Sequence, residues 1–508
     1  MFNRIILLSI LMLSALILNG QAGTLDPSYA DNAEIKYLNF LSSSEEVLTH
    51  SVTDSEDRTW IGGRTFEDGD WKLILSRLDA NGNYDTDFGG TGHAVLNLLS
   101  DNTEEVRGMA LQGDDLILAT ISQEEGIFSP YVLKYSAEGF LDTDFAESGI
   151  ASPSVDLSVS DVKVDDEGNI FLTGTLADDN IAVMKFLPSG EIDETFGFFG
   201  ATTLDLPSDD QSVSLDFDEN GNIYVFGYGT LNGTTRAHIS AFTADGLVNT
   251  DFTANGRKSI TWSDNKNFFL SDGFYESENS HFYLVGRTAE EGSGSLNSAA
   301  VKVSIDAEQD MTFDGDGWLE IDLGIGADDL ITSIEKGPGG YYLSANVSEL
   351  PQGINSVVIH IDEMGNRVEN FGNLGIATFN IAELGPDQAL SLSFQSDGNL
   401  ILTGIALAEE VGIFGYAARI LTSDPLSVDE TTRLEDLSIF PNPARDFIQV
   451  SDFKADRQTQ TYRIISLQGQ IVMEGNLNSS RININQLDQG TYILQVDGYS
   501  PVKWLKLY

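Results

Sequence analysis

The feature that most limits what this chain can become is that it repeats itself. An apolar run ending in a small residue recurs seven times, at residues 60–62, 116–119, 170–174, 223–227, 282–286, 341–345 and 400–404. A second landmark alternates with it, an acidic turn closed by an aromatic. Its copies are Asp85-Thr86-Asp87-Phe88, Asp142-Thr143-Asp144-Phe145, Asp193-Glu194-Thr195-Phe196, Asn249-Thr250-Asp251-Phe252 and Asp310-Met311-Thr312-Phe313, with a degenerate sixth at residues 368–371. A period of roughly 50 to 61 residues belongs to propellers and solenoids, in which one supersecondary unit buries its apolar face against the next. Phe88, Phe145, Phe196, Phe252 and Phe313 recur once per unit and are expected as core anchors.

Within one unit, alternation and turn residues mark four strands. In the third these are residues 162–164, 169–175, 181–187 and 201–206, separated by turns at Asp166-Glu167-Gly168, Asp178-Asp179-Asn180 and Pro188-Ser189-Gly190. Four short antiparallel strands per unit make a propeller blade. The seventh unit runs out after residue 421 without its acidic turn and fourth strand. Near the N-terminus, residues 25–29 resemble the missing turn and residues 35–40 the missing strand. If the N-terminal strand completes the last unit, the ring closes and no sheet edge is left unpaired. The expected fold class is therefore all-β: a seven-bladed propeller of repeats of about 55–60 residues, followed by a small C-terminal β-sandwich.

The repeat landmarks resemble the delta-60 repeat family, whose units combine an apolar strand ending in glycine with a turn of the form Asp-Gly-x-Leu-Asp-x-x-Phe. The resemblance covers about residues 25–421, loosely in the last three units. It implies a propeller-like secreted protein and names no activity.

Charge and cysteine content exclude whole classes. With 79 acidic residues against 27 Lys and Arg the net charge is −52, a field that repels nucleic-acid phosphates and anionic lipid heads. There is no cysteine, hence no disulfide, thiolate metal site or cysteine nucleophile. At the start, Arg4 precedes an apolar run over residues 5–18, and Gly20-Gln21-Ala22 fits leader-peptidase cleavage after Ala22. The run is too short for a bilayer, which takes about 20 residues, so no membrane insertion is expected after its removal.

After a polar linker at residues 422–433 the composition changes, and residues 434–508 hold seven basic and eight acidic residues. This tail opens with Pro441-Asn442-Pro443, continues through strand-like segments to Gly490-Thr491-Tyr492, and ends in a strand with Lys503 and Lys506. In that order the motifs resemble the type A sorting domain of the type IX secretion system of Bacteroidetes-like bacteria. The resemblance implies that the secretion machinery grips the tail and carries the protein from the periplasm through the outer membrane, to be secreted or held at the cell surface. The domains expected are then a leader at 1–22, the repeats at 23–421, the linker, and the sorting module at 434–508.

No enzyme motif emerges. The histidines, His50, His93, His238, His281 and His360, never stand at metal-ligand spacing, and there is no nucleophile elbow, phosphate loop or dinucleotide fingerprint. Carboxylates are too abundant for any pair to single out a glycosidase site. Clusters such as Asp165-Asp166-Glu167 and residues 216–220 could take Ca²⁺, but Asp, Asn and Gly are also what hairpin turns require. No cofactor is assigned. The expectation is a non-enzymatic scaffold binding an extracellular protein or glycan. Its rivals are a carbohydrate-active enzyme with acids at the channel mouth and a structural matrix component.

Overall fold

The chain divides into two compact bodies, residues 1–425 and 426–508. The computed structural model describes residues 21–38, 45–67, 69–98, 103–124, 127–204, 209–262, 266–289, 296–323, 329–349, 353–382, 385–408, 412–423, 439–450, 460–466, 471–477, 480–496 and 502–507. The leader run, Asn39, Phe40 and most of the expected linker lie outside these residues.

In the first body each repeat unit forms one four-stranded antiparallel sheet. Six of them span residues 46–96, 103–151, 157–204, 209–260, 267–321 and 329–379 in simple sequential order. The seventh takes its last strand from the other end of the chain: Ile35–Leu38 pairs with Gly412–Ile420, Ile35 opposite Ala418 and Leu38 opposite Gly415. The N-terminal segment therefore completes the last sheet. The first strands of neighbouring sheets pack side by side, and that of the seventh, Asp387–Phe394, returns to that of the first, Glu46–Thr53. The architecture is propeller-like.

The core lies between sheets. Trp60, Leu73 and Phe88 of the first sheet pack on Leu116 and Leu133 of the second, and the same arrangement continues round to Leu38 and Ala417 of the seventh, which meet Leu48, Ile61 and Ile74 of the first. Second strands such as Thr59–Glu67 are covered on both faces, which is why they read as unbroken apolar runs instead of alternating. Every first strand carries a one-residue irregularity at the same place, leaving Thr49, Arg107, Ser160, Val213, Ser271, Thr332 and Leu390 out of register. Such bulges re-aim side chains. Here they shift the alternation part-way along the strands that line the inside of the sheet array.

The aromatic turn works as a joint between sheets. Phe88, Phe145, Phe196 and Phe313 are 0–2% exposed, and the same holds for Phe371 of the degenerate copy and for Tyr29, which stands in the seventh turn. The N–H after the aromatic donates to a carbonyl in the next sheet's turn: Gly89 to Glu138, Gly197 to Asp245, Ala30 to Asn81. The residue after that carbonyl faces the aromatic so closely that a side chain would collide. A Cβ on Gly139 would lie 2.7 Å from the Phe88 ring, and Gly139 has φ +85°, a conformation glycine adopts without cost. Where Phe371 needs the same joint, the chain supplies Ala22 and Gly23. The Ala22 carbonyl accepts Gly372 N–H at 2.9 Å, and a Cβ on Gly23 would stand 2.3 Å from the same nitrogen. Ala22 is 2% exposed. The residue expected to leave with the leader is thus part of the fold.

One expectation fails in part. Phe252 is only half-buried, packing at the margin of its core against Tyr224 and Phe282. The position that is Gly139 for Phe88 is Ala307 for Phe252, at φ +60° and 1% exposed. The methyl group occupies volume that the phenyl ring fills elsewhere.

The second body holds a three-stranded sheet (Ile439–Phe440, Phe447–Val450, Arg481–Asn483) and a four-stranded one (Ile471–Leu477, Gln460–Ser466, Gly490–Val496, Val502–Lys506). They share one core that includes Ile448, Ile464, Ile482, Leu494 and Trp504.

Candidate functional site

In the C-terminal body the residues singled out from the sequence come together although they lie at its two ends. Asn442, between two prolines, accepts the N–H of Leu505 on its Oδ1 at 3.0 Å and donates its amide to the Lys503 carbonyl at 3.5 Å. Ala444 N–H then donates to the Leu505 carbonyl, and Leu507 N–H to that of Ala444. The Pro441-Asn442-Pro443 segment is thereby pinned along the terminal strand. On that strand's other edge Gly490 stands opposite Lys506 and Tyr492 opposite Trp504, the two rings 5.5 Å apart. Tyr492 Oη donates to the Asp488 carbonyl. Lys503 is exposed, whereas Lys506 is 6% exposed with its ammonium donating to the Leu507 carbonyl. One basic side chain on this strand is displayed and the other ties down the end of the chain.

In the first body all seven first strands line a cavity of 470 Å³. Its ionisable side chains are Asp161, Lys163, Asp216, Asp272, Glu335 and Lys336, with His50 at one end. Three of these carboxylates act as rivets between sheets. Asp161 accepts N–H groups from Val162 and Leu215, Asp216 from Phe217 and Tyr275, and Asp272 from Gly273 and Ile334, all at 2.8–3.1 Å. Burial raises Asp161 to about 6 and Glu335 to about 7, with Lys163 working against both shifts. Burial also disfavours the Lys163 ammonium, but Asp216, Asp161, Glu335 and Asp272 outweigh it and keep it charged.

The two ends of this channel differ. Around the ends of the third and fourth first strands, a cavity of 710 Å³ is lined by Asp165, Asp166, Glu167, Asp218 and Glu219. Around the strand starts, a cavity of 440 Å³ is lined by Arg64, Arg107 and Glu105 with His50, Gln211 and Tyr228. Asp165 and Asp218 spend their oxygens on turn groups, Asp218 accepting from the N–H groups of Asn220 and Asn222 and the Asn222 amide. Among the described residues no group of three His, Cys, Asp or Glu stands where it could hold a metal ion.

Two recurring devices escaped the sequence reading. The first acid of each aromatic turn pairs with a cation eight residues earlier on the third strand: Asp85 with Arg77, Asp142 with Lys134, Asp193 with Lys185, Asp310 with Lys302. Asp26 pairs with Arg419 across the chain closure. In the fourth and sixth sheets both places are uncharged at neutral pH, Asn249 with Ala241 and Val368 with His360. Yet the backbone N–H to carbonyl bond between the two residues is present in all seven. The second device is an acid or amide at the start of four of the sheets that accepts backbone N–H from the sheet before: Asp156 from Phe128, Asn267 from Thr235, Asp329 from Leu323 and Asp387 from Ser356. The fixed spacing of eight was a legible signal. The second series drifts in identity and spacing, and so was hidden among 79 acids.

Residues 438–507 match the family described as secretion system C-terminal sorting domain. No curated protein matches the chain. Among solved structures, the chain is similar to PorZ, an essential bacterial surface component of the type-IX secretion system of Porphyromonas gingivalis. The identity is 12%, covering 90% of this chain but 59% of that one, with a TM-score of 0.34. It is also similar to Drosophila Semaphorin 2a (10% identity, 94% of this chain and 98% of that one, TM-score 0.45) and to the polysaccharide lyase Uly1 (11%, 76% and 99%, TM-score 0.40). The sorting domain marks the chain for export to the cell surface or secretion by the type IX machinery. No helix among the described residues is long and apolar enough to cross a membrane.

Proposed function

We propose that the chain is a non-enzymatic binding scaffold of the cell surface or medium, built as a seven-bladed propeller of delta-60-like repeats with a detachable β-sandwich that hands it to the export machinery. The observation that carries the non-enzymatic reading is the use made of the inward carboxylates. Asp161, Asp216 and Asp272 each hold two backbone N–H groups, one from the next sheet, so each carboxylate serves as a joint between blades. No cofactor is assigned, Ca²⁺ included. Export rests on the terminal cluster, where the displayed Lys503 and the Asn442 clamp offer a receptor one rigid edge.

Fractionation with surface proteolysis tests the export half. Without residues 426–508 the first body should remain folded in the periplasm, and grafting those residues onto a neutral passenger should carry it out. A truncated protein that reaches the medium at the full rate overturns the sorting role.

One observation favours the second reading, a carbohydrate-active enzyme: Glu335, raised to about 7, has the protonation behaviour of a general acid. Turnover of any polysaccharide that is lost in Glu335→Gln with the fold intact would establish it in place of the scaffold.

A further inference from the structure

The arginine-lined end of the channel differs from most ion pairs among the described residues. In several of those pairs one base meets two acids: Arg58 reaches Asp54 and Glu56, Lys134 reaches Asp115 and Asp142, Lys336 reaches Glu276 and Glu278. Here two guanidinium groups share one carboxylate, with Arg64 Nη1 at 3.0 Å and Arg107 Nη2 at 2.5 Å from Glu105. One positive charge is left over at the wall of a 440 Å³ cavity, in a chain of net charge −52.

The placement has a structural cause. Arg107 is the bulge residue of the second sheet, and the equivalent residues in the other six sheets are uncharged. Arg64 is set by the Trp71 ring beneath it at 4.5 Å. Arg64, Arg107 and Glu105 keep 26%, 37% and 33% of their side-chain surface, so a solute can reach them. Arg107 Nε itself is buried and has no hydrogen-bond partner, so a solute meets the Nη side of this guanidinium. A guanidinium binds a carboxylate through charge-assisted N–H bonds, and here Glu105 takes up one Nη of each arginine, so a solute carboxylate competes with it for both. Serine and threonine hydroxyls, the Gln211 amide and the Tyr228 phenol, groups that can both give and accept hydrogen bonds, share the rest of the wall with apolar side chains such as Val159 and Leu270. The volume lies in the range of small-ligand sites, about 300–1,000 Å³.

We infer that this end of the channel binds a carboxylate-bearing sugar, a uronate residue of an acidic glycan. The carboxylate sits on Arg64 and Arg107 in competition with Glu105, and the ring hydroxyls face the polar wall. Binding there rests on the scaffold reading above and names its ligand class. The outer acids do not forbid an anion, because charges beyond about 8 Å are largely screened at physiological salt.

Calorimetry on the full mature chain tests it, with trigalacturonate as probe and maltotriose, acetate and sulfate as comparators. Trigalacturonate should bind below about 1 mM, a modest affinity for one such site, and maltotriose should not bind. Arg64→Gln and Arg107→Gln should each weaken binding by about tenfold or more, as expected for losing a charge-assisted bond. Glu105→Gln should tighten it, a gain that damage to the fold cannot imitate. Equal binding of the neutral trisaccharide, equal binding of acetate or sulfate, unaltered affinity in both arginine variants, or no binding of trigalacturonate would each overturn the uronate site. The scaffold reading would survive any of these, since it is tested by export and by the absence of turnover.

Discussion

In the fifth sheet Lys302 lies 3.1 Å from Asp310 and 5.6 Å from the centre of the Tyr283 ring. At the same places in the sixth sheet stand His360, Val368 and Tyr342, and the imidazole is stacked on the tyrosine at 4.0 Å with 13° between the planes. The charged pair holds Asp310 down to about 2, the Thr312 and Lys302 hydrogen bonds overcoming its burial. In the sixth sheet burial pushes His360 down to about 4 against the weaker pull of Asp362, so it stays neutral opposite Val368. The backbone bond closing the turn is common to both. The joint is therefore set by backbone and aromatic packing. The side chains above it only have to match in charge.

The largest effects should come from breaking what the two sheets share. A chain beginning at Glu45, and so lacking the strand Ile35–Leu38 together with Tyr29 while keeping Glu46–Thr53, leaves the seventh sheet an open edge and should not give a cooperative melt. A smaller cut tests the joint itself: a mature chain starting at Gly23 should melt below one starting at Gln21, because Gly372 N–H loses its Ala22 acceptor. An unfilled buried donor costs about 1–3 kcal/mol. Equal melting temperatures for the two starts would remove Ala22 from the fold, and N-terminal sequencing of the exported protein would show which start the cell uses.

Aromatic truncation comes next. Phe88→Ala should cost about 3–5 kcal/mol, as expected for a fully enclosed phenyl ring. Phe252→Ala should cost clearly less, its ring being only partly buried against Tyr224 and Phe282. Denaturant melts giving equal losses would undo the link between Ala307 and the displaced ring.

These contrasts also show what the sequence could reveal. The sheet count and the closure by residues 25–38 were legible because apolar runs and turn aromatics are read one position at a time. Phe252 was grouped with its homologues because the residue that spoils its pocket, Ala307, lies 55 positions away. The sorting motif was legible in order but not in geometry, since the Asn442 clamp on the terminal strand joins positions 63 apart. The arginine cavity was not visible at all. Arg64 and Arg107 come from different sheets, and a bulge, which period-two alternation does not reveal, decides where Arg107 points.

Charge matching can be tested by exchanging the two sheets' chemistry. Asp310→Val alone should cost about 1.5–3 kcal/mol, the range for hydrogen bonds to charged groups, since Lys302 is only 9% exposed and loses its partner. Adding Lys302→His should restore part of that loss by reproducing the sixth sheet's neutral stack over Tyr283. A double-mutant cycle reads the coupling. Strict additivity would mean that the two positions do not sense each other.

The smallest effect separates the two kinds of buried titration. Glu335 titrates near 7 in the fold against about 4.3 in an unfolded chain, so between those values the native state holds the extra proton. Stability must then fall as pH rises through that window. His50 and His360 act in the opposite sense. Both lie near 4 in the fold against about 6.5 unfolded, so their contribution is complete above 6.5 and is lost as pH falls through that interval. Glu335→Gln should therefore leave the melting temperature nearly unchanged at pH 4.5, where the native carboxyl is already neutral, and raise it progressively to pH 8. Lys163 would keep Asp216 and Asp161 as partners in that variant. Parallel pH profiles for the variant and the parent would mean that Glu335 is ionised and solvated in the channel, and its general-acid role would fall with the stability effect.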